Sequence, residues 1–284
     1  MTARTRFISC NTGLKEAHGV LLGAWLNDNN HGVNAPDMIR EVSAKIDDYH
    51  LNTGRSLSAL GLYDGGNITA KIPNKTEKLN AVYEKARSVM AEKKFLLTVA
   101  EDREISYSLF KAAHEEYKDL KVLVIDAHHG LENKTEGEIN HENYLTHALN
   151  DFLHPENILE LGVRCGSKES YENGAKRHRH LPPRVKRGLI ERLPKLYHHP
   201  CYVSVDLDVL EPSYAPGVKN SASWGISSVE LMETIRYLES VFVVGMDIVG
   251  LDLSKDVGNI TATLGANLIK ESFVYLIDNY EKTS

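Results

Sequence analysis

"VLVIDAHHGLEN", residues 122–133, runs four apolar residues, Val122 to Ile125, straight into Asp126, His128 and His129 ahead of Gly130. A short unbroken apolar run that ends in polar residues is the pattern of a strand buried on both faces. The same pattern recurs in "FLLTVAED" (95–102), "ILELGVR" (158–164), "YVSVDLDVLE" (202–211) and "VFVVGMDIVGLD" (241–252). Between the runs, "EISYSLFKAAHEEYKDL" (104–120) and "SSVELMETIRYLES" (227–240) repeat apolar residues every three or four positions, as amphipathic helices do. Ser227, with Glu230 three residues on, predicts the start of the second helix. Strand alternating with helix implies an α/β fold: a mostly parallel sheet covered by helices on both faces.

The chain has 284 residues, 42% hydrophobic and 25% charged, which fits one globular α/β domain spanning 1–284. Its net charge of −6 disfavours nucleic acid, because a polyanion is repelled by a like-charged surface. The basic stretch "NGAKRHRHLPPRVKRGLIERLPK" (173–195) reads as a solvated face in preference to an anion-binding patch. The apolar run "GVLLGAWL" (19–26) is too short to cross a membrane, and Glu16 and His18 ahead of it do not make a signal peptide; a cytoplasmic protein is expected. Cys10, Cys165 and Cys201 are too few and too scattered for a disulfide framework or a thiolate metal site.

In open parallel sheets, ligands gather beyond the carboxyl ends of the strands. Those ends carry Asp102 and Arg103, then Asp126, His128 and His129, then Asp206 and Asp208, then Asp247 and Asp252. If the strands continue through Asp126-x-His128 and Asp206-x-Asp208, each motif sets two side chains on one face. Three carboxylates and an imidazole make an oxygen-rich site for Mn, Zn, Fe or Ni, unlike a structural zinc site built of thiolates. Any one of these aspartates reads more simply as a helix cap. The two motifs together favour a metal.

"SVDLDVLEPSYAPG" (204–217) resembles the signature of the arginase and agmatinase family, the ureohydrolases, in which Asp-x-Asp is followed by a proline and then Ala-Pro-Gly. "VIDAHHG" is similar to the family's Asp-Ala-His-x-Asp motif. The segments "NNHGVNAPDMIREV" (29–42), "YDGGNI" (63–68), "LGVR" (161–164) and "GMDIVGLDLSKD" (245–256) match further family segments in order. The resemblance implies a three-layer α-β-α fold, arginase/deacetylase-like, with a central mostly parallel sheet of about eight strands. It also implies a homo-oligomer, trimer or hexamer, acting on a small molecule, and paired metals whose hydroxide attacks a guanidinium carbon. "DAHHG" is locally similar to the histone deacetylases, which share the fold and use one metal.

Carried over by position, Asp126, His128, Asp206 and Asp208 match the ligands of one of the family's two metals. The second metal's additional histidine is replaced by Arg103 and its additional aspartate by Gly130. One divalent ion per chain is therefore expected, and not a second. Arg103 either takes the missing ion's place beside Asp126 and Asp206, stabilising negative charge, or points to solvent in a decayed site. The glutamate that receives the family's guanidinium substrate is Gly250 here, and the acidic residue expected after Gly-Leu-Arg is replaced by Cys165 and Gly166, so free arginine is not the expected substrate. His129 and His141 are the candidate proton shuttles, His141 reading equally as a surface-loop residue. Trp224 either lines the substrate pocket or anchors its loop by burial. Two functions follow: a divergent hydrolase of a C–N bond in a guanidino, amidine or amide substrate, or a catalytically inactive homologue acting as a small-molecule-binding or regulatory subunit.

Overall fold

A computed structural model of the chain describes residues 5–26, 33–132, 138–177 and 185–280. Seven strands form one sheet: β1 (Gly19–Ala24), β4 (Leu62–Asn67), β5 (Phe95–Ala100), β6 (Lys121–Ile125), β7 (Ile158–Leu161), β8 (Cys201–Asp206) and β9 (Val243–Val249). Their order is β4-β1-β5-β9-β8-β6-β7, and every pairing in the sheet is parallel. The apolar runs at 95–102, 122–129, 202–211 and 241–252 become the four adjacent strands β5, β6, β8 and β9. Nearly all their residues are buried. Each buried Val, Leu or Ile contributes about 1.5–3 kcal/mol, so these strands are the main stabilising layer.

The expected count of about eight strands becomes seven plus a separate antiparallel ribbon, β2 (Tyr49–His50) with β3 (Arg55–Ser56). Helices α2 (Lys75–Ala91), α3 (Ile105–Glu116) and α4 (Tyr144–Asp151) supply the apolar cluster on one face of the sheet. On the other face α1 (Ala35–Ser43), α6 (Val185–Ile190), α8 (Ser228–Tyr237) and α9 (Ile260–Leu276) form the second cluster. Two short helices, α5 (Lys168–Arg177) and α7 (Leu193–Leu196), lie in the connection from β7 to β8. The expected start of α8 is present: the Ser227 hydroxyl accepts from the Glu230 amide at 3.1 Å. No described helix is long and apolar enough to cross a membrane. Of the basic 173–195 stretch, residues 178–184 lie outside the described residues, as do 29–32 of the early family-like segment.

Candidate metal centre

Because β5, β9, β8 and β6 are neighbours, the residues after their C-terminal ends meet above the middle of the sheet. Asp126 follows β6 and Asp206 ends β8. Neither motif continues as a strand, which corrects the expectation that spacing by two places the pair on one strand face. In each, the first aspartate folds the backbone back: Asp126 Oδ1 accepts from the His128 amide at 2.7 Å, and Asp206 Oδ1 from the Asp208 amide at 3.0 Å. A short polar side chain bonding the amide two residues on is the local turn that Asp favours. The two turns bring their second residues face to face, with His128 Nδ1 2.7 Å from Asp208 Oδ2. The other oxygen of Asp208 accepts from the Ala127 amide at 3.1 Å, tying one turn to the other.

Ligand atoms of Asp126, His128 and Asp208 all lie within 4.8 Å of one another. Two carboxylates and an imidazole at this separation fit one first-row divalent ion. His128 has 23% side-chain exposure above two almost fully buried aspartates, so the set opens to solvent through the imidazole. Asp206, the fourth expected ligand, is not in this group. Its Oδ1 is used by the Asp208 amide, and its Oδ2 lies 3.6 Å from Nε of Arg103. Burial first and the Asp208 charge second push the Asp206 carboxyl up to about 6.

Arg103 is buried, which excludes the solvent-pointing reading. Its guanidinium is in direct contact with Asp126 Oδ2 and donates to the His128 carbonyl at 3.1 Å. Its Cζ lies 5.3 Å from the centre of the Tyr144 ring. The Arg103 guanidinium thus lies between Asp126 and Asp206. Gly250, just after β9, leaves space for the Asp206 carboxylate. With φ of +91°, a Cβ there would stand 2.1 Å from Asp206 Oδ1. The Gly250 carbonyl accepts from the Lys219 amide at 3.0 Å.

Three further candidates take these places in the fold. His129, a candidate proton shuttle, is buried, lies outside the Asp126–His128–Asp208 group and pairs through Nδ1 with Glu160 of β7 at 3.0 Å. His141 is exposed in the turn before α4 and is not in the ligand group. Trp224 neither lines an enclosed pocket nor anchors its loop by burial: it is 87% exposed. The loop is held by its backbone instead. Arg164 donates to the carbonyls of Ala222 at 2.8 Å and Ser223 at 2.9 Å, and the Gly225 amide bonds Glu211 at 2.8 Å.

Sequence reasoning missed three residues. Arg164 also donates to the Asp208 carbonyl at 2.9 Å, so it clamps a ligand loop to the 222–223 loop; the arginine in "LGVR" was visible, but nothing in the spacing marks a residue that binds carbonyls. Lys219 reaches Asp102 at 2.5 Å beside Glu101, whose carboxyl burial pushes up to about 7. Tyr144 carried no signal, because its meeting with Arg103 depends on the docking of α4 against the sheet.

The family model described as the Arginase family matches residues 21–274. The chain is similar to the agmatinase of Bacillus subtilis (strain 168), 31% identical over 273 residues that cover 93% of this chain and 94% of the relative. Among solved structures it is similar in fold to the agmatine ureohydrolase of Thermoplasma volcanium, with TM-score 0.83, 22% identity, and coverage of 100% and 98%. It is also similar in fold to the Trypanosoma cruzi formiminoglutamase solved with Mn2+2, with TM-score 0.81, 19% identity, and coverage of 93% and 94%.

Proposed function

This chain belongs to the arginase family, and we propose that it hydrolyses a C–N bond of a small guanidino, amidine or amide compound with one divalent metal ion per chain. The observation that carries this reading is the convergence of Asp126, His128 and Asp208. The ion they would hold, Mn, Zn, Fe or Ni, supplies an acidified water and a Lewis acid. Asp206 orders the Asp208 turn, and Arg164 holds the Asp208 carbonyl. Arg103 supplies fixed positive charge beside the reacting position, where a buried cation stabilises developing negative charge. Free arginine is not the substrate in this reading: Gly250 offers no carboxylate to a substrate guanidinium, and Cys165 and Gly166 offer none to an amino group. Losing such a charged contact costs roughly 2–4 kcal/mol of transition-state stabilisation.

The second reading, a catalytically inactive homologue that binds a small molecule or regulates a partner, is favoured by the same Arg103, which occupies two of the four carried-over ligands. The cytoplasmic location and homo-oligomeric state expected from the sequence stay part of the proposal. Assembly is supported by a groove of about 670 Å³ between α8 and α9, with exposed Tyr214, Val229 and Ile260 along it.

The test combines metal analysis of purified protein, melting temperature with added Mn2+, Zn2+ or Ni2+, and urea or ammonia release from agmatine, guanidinobutyrate, formimidoylglutamate and arginine. One ion, a raised melting temperature and turnover of a compound other than arginine are expected. Metal binding with no turnover of any compound favours the inactive homologue.

A further inference from the structure

Arg103 does not stand alone in its position. Beneath its guanidinium lies the buried ring of Tyr144, and that ring fills the space above Gly130: a Cβ at Gly130 would stand 2.2 Å from Tyr144 Cε1. A side chain at residue 130 would therefore require the Tyr144 ring to move. The first turn of α4 is fastened to the same point, since the amides of Leu145 and Thr146 both donate to the Gly130 carbonyl at 3.1 Å. Two residues earlier, the His128 carbonyl accepts from Arg103. Across the guanidinium stand Asp126 and Asp206, and the missing side chain at Gly250 leaves room for the Asp206 carboxylate.

We propose that Gly130, Tyr144 and Gly250 form an interlocked seat for one permanent cation, the Arg103 guanidinium, and that the seat is selective for a planar guanidinium over a second metal ion. The carboxylates give it charge, the Tyr144 face gives it a flat floor, and the His128 carbonyl gives it a hydrogen-bond acceptor. Tyr144 acts as a positioning residue through its contact with Arg103. The seat exists whether or not the neighbouring site turns over a substrate, so this inference does not stand or fall with catalysis.

Truncation of Arg103 should empty the seat and leave Asp126 and Asp206 facing each other without compensation. Arg103→Ala is expected to lower the melting temperature by about 5–10 °C. A few millimolar guanidinium chloride should restore part of that loss in the variant and leave the wild type unmoved. Urea, planar and similar in size but uncharged, should restore none. In Arg103→Ala/Tyr144→Ala the guanidinium-specific rescue should weaken several-fold, and in Arg103→Ala/Tyr144→Phe it should persist. Equal responses to urea and guanidinium, or rescue independent of the Tyr144 ring, would overturn the proposal. If the truncated proteins do not fold, the wild type still decides it: after loading with excess Mn2+ and gel filtration it should hold no more than one Mn2+ per chain. Two would overturn the seat. None would leave the seat standing and count against the one-metal hydrolase instead.

Discussion

Asp126 faces two different cation positions with its two oxygens. On the Oδ1 side it meets His128 and Asp208, a set of nitrogen and oxygen atoms open to solvent. On the Oδ2 side it meets Arg103, enclosed with Asp206 and Tyr144. The strands that deliver the two halves are the same; what differs is a handful of side chains at 103, 130, 144 and 250. On the proposed reading, a shared carboxylate scaffold keeps one position exchangeable and closes the other with a charge from the chain itself. Exchange is the property that separates them: an ion can leave, and a side chain cannot.

The change that disrupts both halves should have the largest effect. Asp126→Ala removes the shared carboxylate and leaves Arg103 buried without its main partner, so urea unfolding should show a loss of about 3–5 kcal/mol, with no Mn2+-dependent recovery. Gly250→Ala disturbs the closed half, because the new Cβ meets Asp206 and the backbone must hold a positive φ; a loss of about 2–4 kcal/mol is expected by the same measurement. His128→Ala touches the open half. Its melting temperature without metal should stay close to wild type, while the Mn2+-linked stabilisation, about 2.7 kcal/mol at a hundredfold excess over Kd, should vanish.

The smallest effect sharpens the contrast with a carboxylate that has no cation beside it. Asp247 is buried under hydroxyls, accepting from Ser204 at 2.7 Å and Ser106 at 3.2 Å. Burial, only partly offset by these hydrogen bonds, pushes its carboxyl from 3.8 to about 7. The folded state then binds the proton more tightly than the unfolded chain does. The stability this gives is complete below the unfolded value and is lost as pH rises through about 7. Asp247→Asn should flatten the decline in stability between pH 5 and 7.5 by about 2.5 kcal/mol, as read from unfolding curves across that range.

How far the sequence carries can be read from these same residues. Buried parallel strands leave long apolar runs, so β5, β6, β8 and β9 were legible, and the acidic residues at their ends marked Asp126, His128 and Asp208. Asp206 was legible as a site residue, but its task was not, because strand periodicity stops at its own position and an aspartate turn takes over. The partner of His129 is not local either: beside His128 in sequence, it faces Glu160 in the fold. Trp224 reads from the sequence as a pocket wall or a buried loop anchor, whereas it is exposed and Arg164 and the backbone hold that loop. The meeting of Tyr144 with Arg103 is fixed only by helix docking, which no local pattern encodes.

The contrast between the open and closed halves is tested most directly by anomalous scattering from crystals soaked in Mn2+. One peak among Asp126, His128 and Asp208 is expected, with Arg103 still lying between Asp126 and Asp206. A second peak between those two aspartates, with Arg103 swung aside, would contradict it.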